Sequence, residues 1–176
     1  MGRRVNNCLC YSKTDGALIN MNIKIMNRDA IEMFCEHPFV EKVALISITD
    51  YDYSFAELKN KPQHLLQLAF DDVDGDVFID ELDDNPSQED KLKIEQKYHM
   101  FSDEQAKLVA KFVNEVWDKV DIIICQCEHG QSRSAAIAAA IMQYKYQNGI
   151  DIFTDDNYYP NKFVYRKVFN ALNAEK

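Results

Sequence analysis

Residues 127–134, with the sequence CEHGQSRS, bring a cysteine, a glycine, an arginine and a serine close together. The five residues between Cys127 and Arg133 form a segment long enough to curl its backbone N–H groups toward one anion. The planar guanidinium of Arg133 would bind two phosphate oxygens at once, and Gly130 would supply the backbone freedom that such a loop needs. The pattern therefore indicates a phosphate site with a thiol nucleophile, Cys127.

A hydroxyl directly after the arginine fits the same chemistry. Ser134 can donate a hydrogen bond to the sulfur and so help a thiolate leave when a phosphocysteine is hydrolysed. The arginine and the positive end of a following helix both favour an anion, and therefore favour the thiolate form of Cys127.

The flanking sequence predicts the two elements that would hold this loop. Residues 121–127, DIIICQC, are typical of a short buried strand, and residues 134–147 of a helix that is apolar on nearly every side. The loop would then lie between the carboxyl end of a strand and the amino end of a helix, where open α/β folds bind ligands. A buried helix start leaves backbone N–H groups that an anion can satisfy.

The rest of the chain alternates strand and helix patterns. This order predicts an α/β fold with a central, largely parallel sheet flanked by helices. The predicted strands run over Leu18 or Ile19 to Ile25, over Val43–Ile48, which is buried, and over His64–Phe70. Two predicted helices run over Arg28–Glu36, capped by Asn27, and over residues 161–174. A further helix starts at a Ser102/Gln105 capping box, and its apolar face consists of Leu108, Val109, Phe112, Val113, Val116 and Trp117. With 176 residues, 47% of them apolar, we expect one domain over residues 18–176 after a loose leader of residues 1–17.

The acidity of the chain is concentrated in one segment. Residues 71–90 contain ten of the 29 acidic residues and no Lys or Arg, which leaves 19 acidic against 20 basic residues elsewhere. Such a run is typical of a solvated, mobile loop or an interaction surface, and we interpret residues 71–100 as an acidic insertion. The near-neutral remainder does not support nucleic-acid binding.

Composition also bears on location and redox state. No apolar stretch approaches the ~20 residues of a membrane span, and the first twenty residues lack the apolar core of a secretory signal. The odd count of five cysteines favours reduced thiols, so we expect a cytoplasmic protein without membrane partners. Cys8 and Cys10 would need further ligands to hold zinc, and we predict no metal and no cofactor.

Residues 127–134 resemble the C-x-x-G-x-x-R-S signature of the cysteine-dependent protein tyrosine phosphatases, particularly their small dual-specificity branch. The resemblance is strong over about residues 100–147 and extends back to the strand at residue 43. It implies a tyrosine-phosphatase-like fold in which Cys127 attacks the phosphate and Arg133 holds it. The phosphate-binding loop would comprise Glu128, His129, Gly130, Gln131, Ser132 and Arg133. The substrate would be a phosphotyrosine or dual-specificity phosphoprotein, or another phosphomonoester.

The same resemblance implies an upstream aspartate that protonates the leaving oxygen and later activates water. The alternation of Leu66, Leu68 and Phe70 places Asp72 at the family's position, with Asp71 as the second choice. Both also suit a solvated run of charges. If the acidic segment begins at this acid, it lies near the pocket mouth and should favour basic or neutral substrate flanks over acidic ones.

One residue departs from the family pattern. The family usually has a histidine directly before the nucleophile, and this chain has the uncharged Gln126. That difference favours an alternative in which the pocket binds a phosphorylated partner without turnover. The presence of both Cys127 and Arg133 favours the enzyme.

Other interpretations remain open for several residues. FDDVDGD approaches the D-x-D-G-T motif of the haloacid-dehalogenase-like phosphatases, in which Asp72 and Asp74 would act with magnesium, although Asp76 replaces the threonine. Cys125 fits the core, and His129 either shapes the pocket rim or transfers protons. Two interpretations are also open for Tyr158, Tyr159 and Asn161, which precede the last predicted helix. They either line a pocket wall or form the turn into that helix.

Overall fold

Four parallel strands form the central sheet, in the order β1-β4-β2-β3. The computed structural model describes residues 22–82 and 85–174. The elements run β1 (Asn22–Met26), α1 (Arg28–Phe34), β2 (Val43–Thr49), β3 (His64–Ala69), α2 (Val77–Glu81), α3 (Gln88–Lys97), α4 (Asp103–Val116), β4 (Ile122–Gln126), α5 (Arg133–Tyr146), α6 (Ile150–Phe153) and α7 (Lys162–Ala174). The predicted α/β fold with a parallel sheet and flanking helices is confirmed.

Helices cover both faces of the sheet. The apolar side chains of α4, α5 and α7 form one core with alternate residues of all four strands, among them Ile23, Ile46, Leu68 and Cys125. The other strand residues pack with Ile31 of α1 in a second core. All residues of β2 and of β4 are buried, which explains their almost continuous apolar sequences.

Local sequence signals account for several helix boundaries. The Asn27 side chain accepts a hydrogen bond from the Ala30 N–H and caps α1, as predicted. Ser102 and Gln105 form the predicted capping box at the start of α4. Leu108 departs from the predicted apolar face: it is half exposed, because the buried stripe of α4 consists of Ala106, Val109, Ala110, Val113 and Val116.

Helix α5 is buried over its whole first half. Every residue from Arg133 to Met142 is buried, which agrees with the all-round apolar pattern. The preceding residue, Ser132, makes no side-chain hydrogen bond to the first turn. The first backbone N–H groups of α5 are thus free of a side-chain cap, and they follow directly on the loop that carries Cys127.

The acidic segment contains two helices, α2 with 5 residues and α3 with 10, so its interpretation as a loop is wrong for half of residues 71–100. Val77 and Phe78 of α2 pack with Ile94 of α3 and Phe163 of α7 in a third apolar cluster. The Glu95 side chain of α3 also accepts a 2.8 Å hydrogen bond from Lys167 of α7. Apolar residues between the acids hold the segment to the body.

Residues 1–21, 83–84 and 175–176 lie outside the described part of the chain, so the predicted leader, Cys8, Cys10 and the first residues of the predicted N-terminal strand are not described. Among the described helices, none has the length and apolar character to span a membrane.

Candidate active site

The carboxyl ends of all four strands meet at one edge of the sheet, because the strands are parallel. Asp50 follows β2, Phe70 and the acidic residues Asp71 and Asp72 follow β3, and Cys127 follows β4. This edge therefore gathers the residues that the sequence places far apart.

The loop between β4 and α5 has a conformation that requires glycine. Gly130 has φ of +68°, a left-handed value that other residues adopt only with strain. A Cβ at this position would lie 2.7 Å from the Asn27 backbone nitrogen and 2.9 Å from the Met26 carbonyl carbon. The loop is thus packed directly against the chain that leaves β1.

Arg28 fastens the other side of this loop. Its backbone N–H donates to the Glu128 carbonyl at 3.1 Å, and its Nε donates to the Glu128 carboxylate at 2.7 Å. Its Nη2 donates to the Ser54 carbonyl at 2.7 Å. Arg28 was not identified from the sequence, since its role depends on a contact between residues 100 positions apart.

Cys127 is almost fully buried, with 2% of its surface exposed. Its Sγ lies 3.1 Å from the Ser134 Oγ, which is itself fully buried. A thiolate has no proton to donate, so with ionised Cys127 the hydroxyl is the donor. The structure brings together the two residues for which the sequence indicated this contact.

Arg133 is buried at the end of the loop, and its guanidinium nitrogens differ in their contacts. Nη1 donates to the Phe70 carbonyl at 2.8 Å and forms a 2.8 Å ion pair with Asp50. The buried Nε has no hydrogen-bond partner among the described residues, and its distance of 3.9 Å from the Asp72 carboxylate is too long for one. A buried donor without a partner is costly, so an acceptor bound at this place would be favoured.

Of the two candidate acids, Asp72 is the one that contacts the loop. Its Oδ1 accepts hydrogen bonds from the Ser132 hydroxyl at 2.8 Å and from the Asn161 amide at 3.0 Å. Asp71 instead accepts from the Tyr51 backbone N–H at 2.9 Å. The geometry therefore favours Asp72 over Asp71 for proton transfer at the loop.

Asp50 and Asn161 join the site although sequence reasoning gave neither of them this place. The position of Asp50, at the end of a fully buried strand, was a usable signal. Asn161 was considered only as a wall or turn residue. It is 4% exposed and lies directly before α7, so only the packing of that helix brings it to Asp72.

Gln126, which stands where the resembling family has histidine, faces away from Cys127 along the strand. Its Oε1 accepts a 2.8 Å hydrogen bond from the Ser47 hydroxyl. Its Nε2 is buried without a hydrogen-bond partner in the described structure. Gln126 is therefore attached to β2 through one of its two polar atoms.

Cys125 and His129 differ sharply in environment. Cys125 is fully buried, and burial together with the adjacent Cys127 raises the pKa of its thiol far above the ordinary value. Such a thiol is inert, in agreement with its prediction as a core residue. His129 is exposed on the loop, which fits a place at the pocket rim.

Two exposed tyrosines flank the loop. The Tyr159 backbone N–H donates to the Gln131 carbonyl at 2.9 Å, and its side chain is 71% exposed. Tyr51, which follows Asp50, stacks on His99 with ring centroids 3.8 Å apart and remains 53% exposed. Tyr158, by contrast, is buried.

The residues of the magnesium alternative are engaged differently from one another. Asp74 accepts hydrogen bonds from the Gly75 backbone N–H at 2.5 Å and from the Lys162 backbone N–H at 3.3 Å, whereas Asp72 contacts Ser132 of the loop between β4 and α5. Within residues 22–82 and 85–174, no three His, Cys, Asp or Glu side chains form a group that could hold a metal ion.

No protein-family model and no curated protein sequence matches this chain. Several solved structures are similar to it, each of the following with a TM-score of 0.48. Human DUSP28 is 12% identical in sequence, and the match covers 89% of this chain and 93% of DUSP28. Tk-PTP in the active form is 14% identical, with 90% of this chain and 96% of Tk-PTP covered. PTPMT1 is 12% identical, with 89% of this chain and 92% of PTPMT1 covered. Similarities at this level assign neither a reaction nor a substrate to the chain, which has an α/β fold with a parallel sheet.

Proposed function

We propose that this protein is a cysteine-dependent phosphatase that hydrolyses phosphate monoesters through a cysteinyl-phosphate intermediate. The observation that carries the proposal is the buried Nε of Arg133, which no residue within 22–82 or 85–174 satisfies, beside an uncapped helix start and the Cys127 thiol. An anion with several acceptor oxygens would satisfy the arginine and the first N–H groups of α5 together. Phosphate has this form.

In the first step, the Cys127 sulfur attacks phosphorus while the bond from phosphorus to the ester oxygen breaks. The backbone N–H groups of the loop and Arg133 bind the phosphoryl oxygens, whose charge they offset. Asp72, protonated at this stage, gives its proton to the departing oxygen. The products are a free alcohol or phenol and a phosphocysteine.

In the second step, water attacks the phosphocysteine. Asp72, now a carboxylate, takes a proton from the water as the new oxygen–phosphorus bond forms and the sulfur–phosphorus bond breaks. The departing thiolate accepts a hydrogen bond from Ser134, whose hydroxyl lies 3.1 Å from the sulfur. Inorganic phosphate leaves, and the starting state is restored.

Two features support phosphotyrosine or a dual-specificity phosphoprotein as the substrate. Tyr159, bonded to Gln131 of the loop, and Tyr51, next to the Arg133 partner Asp50, both expose rings on which a phenyl ring or a peptide could pack. Cys127 lies at the bottom with 2% exposure, so the phosphate must extend some distance from its carrier. Reduced thiols in the core suit the expected cytoplasmic location.

The test is hydrolysis of an aryl phosphate in the presence of a metal chelator. We expect activity in the wild type and a loss of at least about 10³-fold in Cys127→Ser. Cys125→Ser is the matched control, because it changes a buried thiol two residues away that takes no part in the reaction. We expect this variant to keep most of the activity, with any loss following its stability.

Each alternative predicts a different result. Activity that persists in Cys127→Ser would rule out the cysteine mechanism. Activity that only the chelator abolishes would support the aspartate mechanism with magnesium. A wild type that binds a phosphopeptide without turnover would support the noncatalytic module, for which the replacement of histidine by Gln126 is the one favourable observation.

A further inference from the structure

The Asn161 side chain makes three hydrogen bonds at the place where the start of α7 meets residues 72–73, which include the candidate acid. Its Nδ2 donates to the Asp72 carboxylate at 3.0 Å and to the Val73 carbonyl at 3.2 Å. Its Oδ1 accepts from the Val164 N–H at 3.0 Å, the bond of a helix cap. With 4% exposure, the side chain has little freedom to turn away.

The cap also fixes which way the amide points. A turned amide would place Nδ2 against the Val164 N–H and Oδ1 against the Asp72 carboxylate, which are two repulsive contacts in place of attractive ones. The Nδ2 group must therefore face Asp72. Helix α7 packs against α5, the helix that starts at Arg133, so the amide is supported by the element that carries the phosphate loop.

We propose that Asn161 is a positioning residue for the general acid. The proposal rests on the proposed function, since it concerns the step in which Asp72 protonates the leaving oxygen. Ser132 holds the same carboxylate oxygen at 2.8 Å, so Asp72 is tied to the phosphate loop on one side and to α7 on the other. Loss of the Asn161 donor leaves Asp72 with a single side-chain donor and freedom to leave its place above the loop.

The leaving group distinguishes this role from a purely structural one. An activated leaving group such as 4-nitrophenolate departs with little help from an acid, whereas phenolate needs its proton in the transition state. A displaced acid therefore slows phenyl phosphate far more than 4-nitrophenyl phosphate. Partial unfolding or a damaged phosphate loop slows both substrates by the same factor.

The experiment compares kcat/KM for these two substrates in Asn161→Ser and Asn161→Asp. Both variants keep a side-chain oxygen that can cap α7, and neither retains the amide donor. We expect kcat/KM for phenyl phosphate to fall about 10-fold more than that for 4-nitrophenyl phosphate, part of the 10² to 10⁴ that an acid contributes. In Asp72→Asn, the added change Asn161→Ser should alter the ratio no further.

Ser87→Ala is the control for helix capping. It removes the cap of α3, a hydroxyl bonded to Asp90, and should lower Tm without changing the ratio between the two substrates. The cap of α4 is less suitable, because Ser102 bonds with Gln105, which donates to the Ala69 carbonyl near the acid. An equal loss on both substrates in the Asn161 variants, or no loss on either, would overturn the positioning role.

The two proposals fail in different ways. If hydrolysis depends on Cys127 but the ratio is unchanged in both Asn161 variants, the positioning role alone is wrong. If hydrolysis does not depend on Cys127, or the wild type has none, both proposals are wrong.

Discussion

At the scale of single residues, the site divides into a part that depends on neighbours in sequence and a part that does not. Cys127, Gly130 and Arg133 belong to one short loop, so their spacing alone was enough to predict their association. Asp50 and Asn161 reach the same place from β2 and from the start of α7. Nothing in a local pattern encodes such contacts, because they exist only after the strands and helices have packed.

The hydrogen bond between Ser47 and Gln126 tests how the fold stabilises the buried amide of Gln126. Ser47→Ala removes the one hydrogen bond of a fully buried amide, and should lower the free energy of unfolding by about 1 to 3 kcal/mol. Adding Gln126→Met to Ser47→Ala removes the unpaired amide and should recover most of the lost free energy of unfolding. Urea unfolding measures the free energy of unfolding of the single and the double variant. A double variant as unstable as Ser47→Ala would show that the unpaired amide is not the cause of the loss.

At the scale of elements, the sequence predicted the strands and the longer helices because each has one dominant pattern. Continuous apolar runs specified β2 and β4, and a capping box marked the start of α4. Helices α2 and α3 were missed, since a high density of acids hid the few apolar residues that pack on Phe163. Their burial depends on α7, a partner about 80 positions further along the chain, which composition does not reveal.

The turn between β4 and α5 is the element on which the proposed phosphate site most depends. In Gly130→Ala, the new methyl group would meet the Asn27 backbone at 2.7 Å and require a left-handed residue. We expect loss of phosphatase activity and about 1 to 3 kcal/mol of stability. Activity assays and urea unfolding on the same preparation provide the measurement.

Gly75→Ala is the matched control for this turn. A methyl group there would lie 3.2 Å from the end of the flexible Arg166 side chain, which can move aside, and at an ordinary contact distance of 3.6 Å from the Phe163 ring. Activity and stability close to the wild type are expected. If both glycine variants behaved alike, the special conformation of Gly130 would not be the cause.

At the scale of the whole molecule, the parallel sheet explains why one edge carries the chemistry. Helix α4 begins near that edge, where Gln105 donates to the Ala69 carbonyl at the end of β3, and five residues separate its end from the start of β4 at the opposite edge. Its last residue, Val116, lies about 16 Å from Gln105 along the helix, at a rise of about 1.5 Å per residue. The start of the acidic segment lies near the candidate site, since the Asp74 carboxylate accepts a hydrogen bond from the Lys162 backbone N–H beside Asn161.

This placement predicts a charge preference among substrates. Asp76 and Asp80 are exposed on or beside α2, and no ion pair with a described residue offsets either charge. Their field should repel phosphopeptides with glutamate flanks and attract those with lysine flanks. In Asp76→Asn/Asp80→Asn, kcat/KM for the acidic peptide relative to the basic one should rise about 2- to 5-fold at low salt. The difference should largely disappear near 0.5 M salt, where the Debye length is only about 4 Å.

The control removes the same charge at the opposite end of the molecule. Glu115 and Asp118 lie at and just after the last turn of α4 and are exposed. Glu115→Gln/Asp118→Asn changes the net charge from −9 by the same amount as the α2 variant, so an equal effect on the peptide ratio would show that only total charge matters. A change confined to the α2 variant means that the acidic helix acts by its position relative to the candidate site. That result would assign the acidic segment, whose helices composition alone did not predict, to substrate selection.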